Sequence, residues 1–581
     1  MPASASQYLL QGCGLPQAWR DKSAWRILDT DFHQGLRFLD TWQTWHSDAK
    51  RPHLLHFVAL CAHPPSGDAI LQAAAPTHEL HALAQELAQE CQGLAAGFQR
   101  ISLNEGRVLL TLCVGETQAL LREQQFAADS VVWDSPESVS ASSRWALKAL
   151  ARCCRRGTRL ATAQAQNPAQ AAWLVQAGFE TTLNGASNQW TYNPTWTLKT
   201  TRHPDLARAL QAPPASDCVV IGAGLAGASV AAALARRGWQ VQVLDAATTP
   251  AAGASGLPVG LVVPHVSADD NPRSQLSRSG IRLTLQQAKT LLTSGHDWAL
   301  SGVLEHREIG VSTLWHAHAG WIKPTQLVQA WLAQPGIHFV PNAPVATVRR
   351  EADVWALKNA AGHVLVRAKH LIFANAWGAQ ALLDDLRRAV PELAPSLARL
   401  PALQGVRGVI SWGMQGPEQT SALPAFPVNG LGSLICNIPL SNETGHAADQ
   451  KAWYAGATYE TGELISAPLS LHHQTNFNKL RTLLPEAAQT LSHGFASDKV
   501  QTWQGTRCVT PDRLPVVGPL DASASPSLWI SAAMGSRGLS YAVLCAELLA
   551  AQIGGEPWPL PASLARHLSA LRSHERTSQP T

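Results

Sequence analysis

The chain has no C-x-x-C pair among its ten cysteines, no apolar run long enough to span a membrane, no basic-then-apolar N-terminus and no excess of one charge. Each absence excludes something. Scattered cysteines, with Cys153 and Cys154 adjacent and poorly placed to bridge, speak against a disulfide scaffold and for a reduced, cytoplasmic protein. A membrane helix needs about 20 consecutive apolar residues, and neither that nor a secretory signal is expected here. The 45 basic and 41 acidic residues leave a formal net charge of +4, which permits an RNA partner without arguing for one. Tyrosine is scarce, at 5 residues, whereas tryptophan reaches 21, and most of those indoles are expected in cores and domain interfaces. At 581 residues the chain is too long for one core, so two or more domains are expected.

The sharpest local signal lies at residues 218 to 245. An apolar run from Cys218 to Ile221 reads as a buried strand. Gly222, Gly224 and Gly227 follow at the spacing G-x-G-x-x-G, and the alanine-rich stretch 228–237 has helical propensity. Gly238 would stop that helix, and 240–244 would form the next parallel strand, ending on Asp245. In such a unit the first glycine makes a tight turn, the second lets backbone approach a pyrophosphate, and the third lets helix and strand pack. The pyrophosphate rests on free N–H groups at the helix start. An acid about 20 residues further on accepts hydrogen bonds from the ribose, which is the place of Asp245. Strand, glycine turn, helix, second strand and acid, in that order, predict a dinucleotide site.

Residues before about 205 read as a separate α/β domain, with strands at 25–28, 54–60, 108–114, 130–133 and 158–162. Helices are expected at 32–45, 77–95 and 145–153, and Arg155-Arg156-Gly157 reads as a turn. The run 211–216, Gln-Ala-Pro-Pro-Ala-Ser, is a linker candidate. Beyond the dinucleotide unit, 269–272 is a turn-forming cluster and 277–292 a helix with Arg278 and Arg282 on one face. Strands at 354–357, 364–366, 371–374, 409–412 and 454–459 suggest a substrate-facing sheet plus one strand that returns to the nucleotide fold. In the tail, 503–518 reads as a rigid, turn-rich segment with Arg507 and Arg513. A strand at 528–532 then leads through Met534, Gly535, Ser536, Arg537 and Gly538 into a helix at 539–551. Glycines at a second helix start again invite close backbone approach. A cofactor touching both 222–227 and 535–538 would be long, as FAD is.

With these residues in hand, the chain resembles the family of bifunctional enzymes that finish 5-methylaminomethyl-2-thiouridine at the tRNA wobble position. The likeness spans essentially the whole chain. Its quotable stretches are VVIGAGLAG at 219–227, GASG at 253–256, GWIKP at 320–324, WQGTRCVTPDRLPVVG at 503–518 and GSRGLSYAVLCAELLA at 535–550. The resemblance implies an FAD-dependent amine-oxidising domain, itself similar to glycine oxidase and D-amino-acid oxidase, with cofactor contacts at Gly222, Gly224, Gly227, Asp245, Ser255, Gly256, Gly535, Arg537 and Gly538. It implies oxidative removal of the carboxymethyl group from 5-carboxymethylaminomethyluridine, leaving 5-aminomethyluridine and glyoxylate, with oxygen as electron acceptor. The flavin carries the hard chemistry, so the protein need supply only orientation and electrostatics. A substrate carboxylate needs a cation, and a planar guanidinium can hold it bidentately. The glycine oxidase pattern places its carboxylate-binding arginine in the corresponding Gly-x-Arg segment, which makes Arg507 the first choice and Arg513 the second.

The N-terminal part resembles the family's S-adenosylmethionine-dependent methyltransferase. Framing residues are present at Gly14-Leu15-Pro16 and from Leu36 to Trp42, but the functional centre departs. The family's acidic residue and Gly-Phe-Gly-Thr-Gly loop are replaced by the run from Leu28 to Gly35, in which only Gly35 survives. Asp31 and His33 bring side chains where bare backbone should face the methionine part, and Asp31 adds negative charge. The ribose acid after the second strand falls at Cys61, and the rim's Asp-Gly-Phe-Ala-Pro is reduced to Asp134-Ser135-Pro136. Glu116 sits where the family's adenine-binding acid would. The departures favour a retained scaffold with remnants at Gly35, Glu116 and Asp134 over a working methyltransferase with a compensating site.

The expected architecture is therefore α/β. A Rossmann-like methyltransferase-type domain occupies 1–210, and an FAD-binding doubly wound domain occupies 216–581. The FAD-binding parts fall at about 216–290 and 501–556, with an inserted substrate-binding mixed β-sheet domain at about 291–500. The expected partner is the tRNA anticodon stem-loop, met by a monomer without metal or membrane. A flavin oxidase acting on a free small amine and a non-catalytic tRNA-binding protein are the alternatives. The pairs Arg155-Arg156, Arg349-Arg350 and Arg387-Arg388 read as ordinary surface unless they meet phosphates.

Overall fold

Strands buried at every residue need cover on both faces, and each of the chain's two parallel-stranded sheets contains them. In the computed structural model residues 10–133, 141–163, 166–181, 188–197, 213–308, 312–440, 450–456, 458–461, 467–497, 499–521, 523 and 526–572 are described. The sequence positions Asp134, Ser135 and Pro136, and Gln211 and Ala212 of the linker candidate, lie outside them. The chain divides into two compact units, one running to Ala215 and taking in Glu547–Arg566, the other beginning at Ser216. Among the described residues no helix is long and apolar enough to cross a membrane.

The first unit is built on an eight-stranded sheet. Its five parallel strands lie in the order Val108–Val114, Leu54–Cys61, Ala24–Asp29, Ala128–Trp133, Cys154–Thr162. Val108–Val114 and Ala128–Trp133 are buried at every residue. The strand order reverses beside Ala24–Asp29, which makes the segment after Asp29 the switch point where open α/β sheets bind ligands. Antiparallel strands flank both edges: Gly97–Leu103 on one side, Gln189–Tyr192 and Phe179–Thr181 on the other.

Several expectations need correction here. Gly97–Leu103 was not expected, because buried Gln99 and Arg100 interrupt its apolar signal. The helix expected at 32–45 begins only at Leu36, since Gly35 caps it in the left-handed region, φ 79°. The helix expected over 77–95 is a short turn, His78–Leu80, followed by His81–Glu90. Arg155-Arg156-Gly157 is no turn between elements. It lies inside the strand Cys154–Thr162, whose register against Ala128–Trp133 shifts there while Gly157 takes φ 88°.

The second unit holds a six-stranded sheet in the order Ile337–Val340, Gln240–Leu244, Asp217–Ile221, His370–Phe373, Leu528–Ala532, Val516–Pro519. All pairs are parallel except the last. His370–Phe373 is thus the returning strand, supplied from the middle of the chain. The helix Pro272–Leu291 starts five residues earlier than the periodicity suggests, because Asn271 Oδ1 accepts from Ser274 N at 3.2 Å and Pro272 opens the first turn. On that helix Arg278 is paired with Asp270 at 2.5 and 2.9 Å, so its charge is already answered.

A separate mixed sheet is organised by the long strand Gln404–Gln415, which runs straight through Gly408. Gln501–Val509 pairs with it antiparallel at nine positions, from Gln404 opposite Val509 to Trp412 opposite Gln501. The segment 503–518 is therefore mostly a strand, and only Thr510 to Pro515 turns. Its prolines, which suggested turns throughout, all lie beyond Val509. The strand expected at 454–459 ends at Ala455, because Gly456 takes φ 106°; Ala457 lies outside the described residues.

Candidate functional site

The glycine turn follows the central strand Asp217–Ile221. Gly222 adopts φ 106°, and a side chain there would meet the Ala374 carbonyl at 2.7 Å, so only glycine fits. Gly224 caps the helix Leu225–Ala235 without a side chain. At Gly227 a Cβ would overlap the Gly222 carbonyl, so this glycine sets how closely helix and strand pack. Asp245 directly follows the neighbouring strand Gln240–Leu244, and its carboxylate accepts from Ala223 N at 2.7 Å and Ala247 N at 2.9 Å. Ser255 lies on the short turn Ala254–Gly256, and its hydroxyl accepts from Leu225 N at 2.9 Å. One of the free N–H groups at this helix start is thus already engaged by the protein.

These residues border a cavity of about 740 Å³, within the range of ligand pockets. Gly222, Gly224, Asp245 and Ser255 line it, together with Arg507, Gly535, Arg537 and Gly538. Gly227 and Gly256 stand outside the lining. A Cβ on Gly256 would lie 2.7 Å from the Ala251 carbonyl, which explains that glycine by packing. Gly535 takes φ 59° and donates to the Cys508 carbonyl at 2.9 Å, after which Gly538 opens the helix Gly538–Gly554. Two helix starts, each bearing a partial positive charge, therefore border one space. Asn375 Oδ1, on another lining residue, is buried with no hydrogen-bond partner among the described residues. Bare glycine backbone at both ends, a free acceptor and an acid after the second strand fit a long dinucleotide such as FAD.

Arg507 reaches the same cavity from Gln501–Val509. Its Nη2 donates to the Thr458 carbonyl at 2.7 Å, and its guanidinium lies 4.3 Å from the centroid of the Tyr459 ring. Gly408, opposite Gly505 in the register, leaves room for it, since a Cβ there would overlap the guanidinium. Arg513 does not join the site. It is exposed on the turn after Val509, with φ 58°, and is not part of the cavity lining. Arg537 lines the cavity with no hydrogen bond or ion pair to its guanidinium among the described residues. Nearby His265 is held below its ordinary pKa by burial and then by Arg537 and Arg273. Sequence reasoning missed Thr458, Tyr459, Leu431 and Trp377, all in the lining. None sits in a motif; their common signal is an adjacent glycine or a strand end.

In the first unit, the segment after Asp29 occupies the switch point but is closed upon itself. Asp29 is fully buried, and Arg37 holds both its oxygens, Nε at 2.8 Å and Nη2 at 2.9 Å. Arg37 also donates to the Asp31 carbonyl. Burial nevertheless pushes the Asp29 carboxyl up to about 6. Asp31 and His33 are paired at 3.2 Å, with side chains 42% and 58% exposed, so they stand at the rim instead of filling the interior. Burial raises the Cys61 thiol to about 11. Glu116 is a helix cap, accepting from Gln118 N at 2.9 Å and Ala119 N at 2.6 Å. Of the three remnants, Gly35 and Glu116 thus have local structural tasks, and Asp134 lies outside the described residues.

The paired arginines are mostly engaged. Arg155 binds Asp129, Arg156 donates to the Asn193 side chain and to the carbonyls of Pro194 and Trp196, and Arg349 is bound to Asp385. Arg388 lies 3.7 Å from Asp385, and Arg350 lies over the Trp355 ring. Among the described residues no group of three or more His, Cys, Asp or Glu side chains is placed to hold a metal.

Comparison with known proteins matches residues 217–310 and 304–552 to the family described as FAD dependent oxidoreductase. The tRNA 5-methylaminomethyl-2-thiouridine biosynthesis bifunctional protein MnmC of Albidiferax ferrireducens is 51% identical over 591 residues, covering 98% of this chain and 96% of that relative. The protein of the same description from Polaromonas sp. is 44% identical over 613 residues, covering 97% and 93%. Among solved structures, glycine oxidase from Geobacillus kaustophilus is 16% identical, with a TM-score of 0.44 over 58% of this chain and 95% of that one.

Proposed function

Because the chain belongs to the family of tRNA 5-methylaminomethyl-2-thiouridine biosynthesis bifunctional proteins, and its second unit is that of an FAD-dependent oxidoreductase, we propose that it removes the carboxymethyl group from 5-carboxymethylaminomethyl-(2-thio)uridine at tRNA position 34. The products are the 5-aminomethyl nucleoside and glyoxylate. The observation that carries this reading is the presence of Arg507 in the same cavity as both glycine turns. A guanidinium with one N–H committed to Thr458 still offers an edge to a substrate carboxylate.

In this reaction the N–CH2 group loses two electrons and two protons, water adds to the C=N bond, and the C–N bond breaks. FAD, when bound, would supply the two-electron acceptor, with oxygen as the final acceptor. Arg507 fixes the carboxylate and so the position of the methylene beside it. The helix starts at Gly224 and Gly538 favour negative charge in the cofactor. Asp245 orders the glycine turn through Ala223, and just after the second strand it would be the residue to meet the ribose of a bound dinucleotide.

We read the first unit as the Rossmann-like methyltransferase-type domain of the family and assign it a scaffold role; a parallel sheet whose order reverses beside Ala24–Asp29 supports the first part of that reading. The support for the scaffold role is the Asp29–Arg37 pair, which consumes the acid at the switch point. Product analysis on tRNA carrying 5-carboxymethylaminomethyluridine, with and without S-adenosylmethionine, tests both assignments. Aminomethyluridine as the end product in both reactions supports them. Methylaminomethyluridine formed only with S-adenosylmethionine rejects the scaffold role. Oxidation of glycine with no change in the tRNA moves the protein to the small-molecule oxidases.

A further inference from the structure

Three side chains that line the cavity also rank among the exposed large apolar groups: Trp377 at 54%, Tyr459 at 60% and Leu431 at 51%. Apolar surface that belongs to a cavity and yet stays in water marks its mouth. Tyr459 and Leu431 come from two loops that are tied together. Leu431 stands at the tip of the turn between Val428–Asn429 and Ser433–Pro439, closed by Gly430 N donating to the Gly432 carbonyl at 2.8 Å. Gly456, three positions before Tyr459, donates to the Ser433 carbonyl at 2.9 Å, and Ser433 Oγ donates back to the Gly456 carbonyl at 3.2 Å. The glycines 430, 432 and 456 line the same cavity, leaving bare backbone between the two side chains.

The Tyr459 ring carries a cation on one face. Arg507 covers that face at 4.3 Å, and with the residue 60% exposed among the described residues, ring surface beyond the guanidinium is left open to solvent. A flat aromatic surface, backed by a cation and open above, matches the π-face of a nucleobase. A free amino acid would leave that surface in water. Bases of single-stranded RNA loops, in contrast, can be splayed out and stacked on aromatic side chains.

We propose that Tyr459, with Leu431 beside it, is the platform on which the pyrimidine ring of the target nucleotide stacks, its 5-substituent passing the ring edge to the N–H groups of Arg507. This rests on the functional reading above and names the part of the site that recognises the base. Leu431 acts as the apolar guard of the same opening.

The test uses the full-length, FAD-loaded protein and its Tyr459→Leu and Tyr459→Phe variants. Dissociation constants for a fluorescently labelled anticodon stem-loop RNA are read by anisotropy, and KM and kcat are measured with tRNA carrying 5-carboxymethylaminomethyluridine. Loss of the ring in Tyr459→Leu is expected to weaken RNA binding and raise KM by about 5- to 150-fold, the range of one base stack. Tyr459→Phe keeps the ring and is expected within about 2-fold of the parent. Flavin absorbance and thermal midpoint check that both variants are folded and loaded. Equal behaviour of Leu and Phe, or a Leu variant that binds the RNA like the parent, overturns the platform. If the parent protein binds no RNA and oxidises glycine, the functional reading falls first and the platform with it.

Discussion

Replacement of Arg507 by glutamine removes the charge and the guanidinium fork while keeping a shorter polar side chain. A guanidinium has five N–H donors, and one is committed to the Thr458 carbonyl. Two of the remaining donors suffice for a bidentate carboxylate. Each charge-assisted hydrogen bond contributes roughly 1.5–3 kcal/mol, which would total about 3–6 kcal/mol in a dry site. The site is not dry, because the Tyr459 ring stacked on this guanidinium is 60% exposed. Solvent screening moves the expectation to about 2–3 kcal/mol. Arg507→Gln should therefore lower kcat/KM by about 30- to 150-fold. Arg507→Lys keeps the charge but loses the fork, and should recover part of that loss. The assay is glyoxylate release from tRNA carrying 5-carboxymethylaminomethyluridine, with the thermal midpoint as control, since the Thr458 carbonyl also loses its donor at a cost of about 1 kcal/mol. A kcat/KM for Arg507→Gln within a factor of about 3 of the parent would refute the assignment, because that is less than one charged hydrogen bond.

Gly227→Ala drives a methyl into the Gly222 carbonyl, so the purified variant should carry little FAD, read from its visible absorbance per protein. Asp245→Ala leaves Ala223 N and Ala247 N without their acceptor; a loss of about 1–3 kcal/mol in unfolding free energy is expected by denaturant titration, together with weaker FAD retention. In the first unit, Arg37→Ala strands the buried Asp29 carboxylate and should cost about 3–5 kcal/mol, whereas Asp29→Asn with Arg37→Met should be milder. The hydrogen bond from His316 at 2.7 Å holds the Glu305 carboxyl below its ordinary value. The stabilisation is then present above the ordinary carboxylate pKa and lost as the pH falls through the lowered one. Glu305→Gln should flatten the fall of the thermal midpoint below about pH 4.

What the linear chain determined by itself is the set of features written in local chemistry. The turn at Gly222 requires a positive φ, and close packing at Gly227 requires the absence of a side chain, so both constraints are legible as glycine at fixed spacing. The parallel strands read clearly because burial on both faces leaves predominantly apolar runs. The departures between Leu28 and Gly35 were equally plain as residue types. Only the tertiary structure decided what those residues do. Asp29 carries no mark that it will be buried against Arg37, because their pairing depends on where the strand ends and the next helix begins. Arg507 and Arg513 look alike in sequence, six positions apart. They separate because the pairing of Gln501–Val509 with Gln404–Gln415 takes one into the cavity, while the chain turns before the other. Tyr459 and Leu431 have no motif at all. Their association follows from hydrogen bonds between Ser433 and Gly456, residues 23 positions apart whose meeting is a property of sheet register.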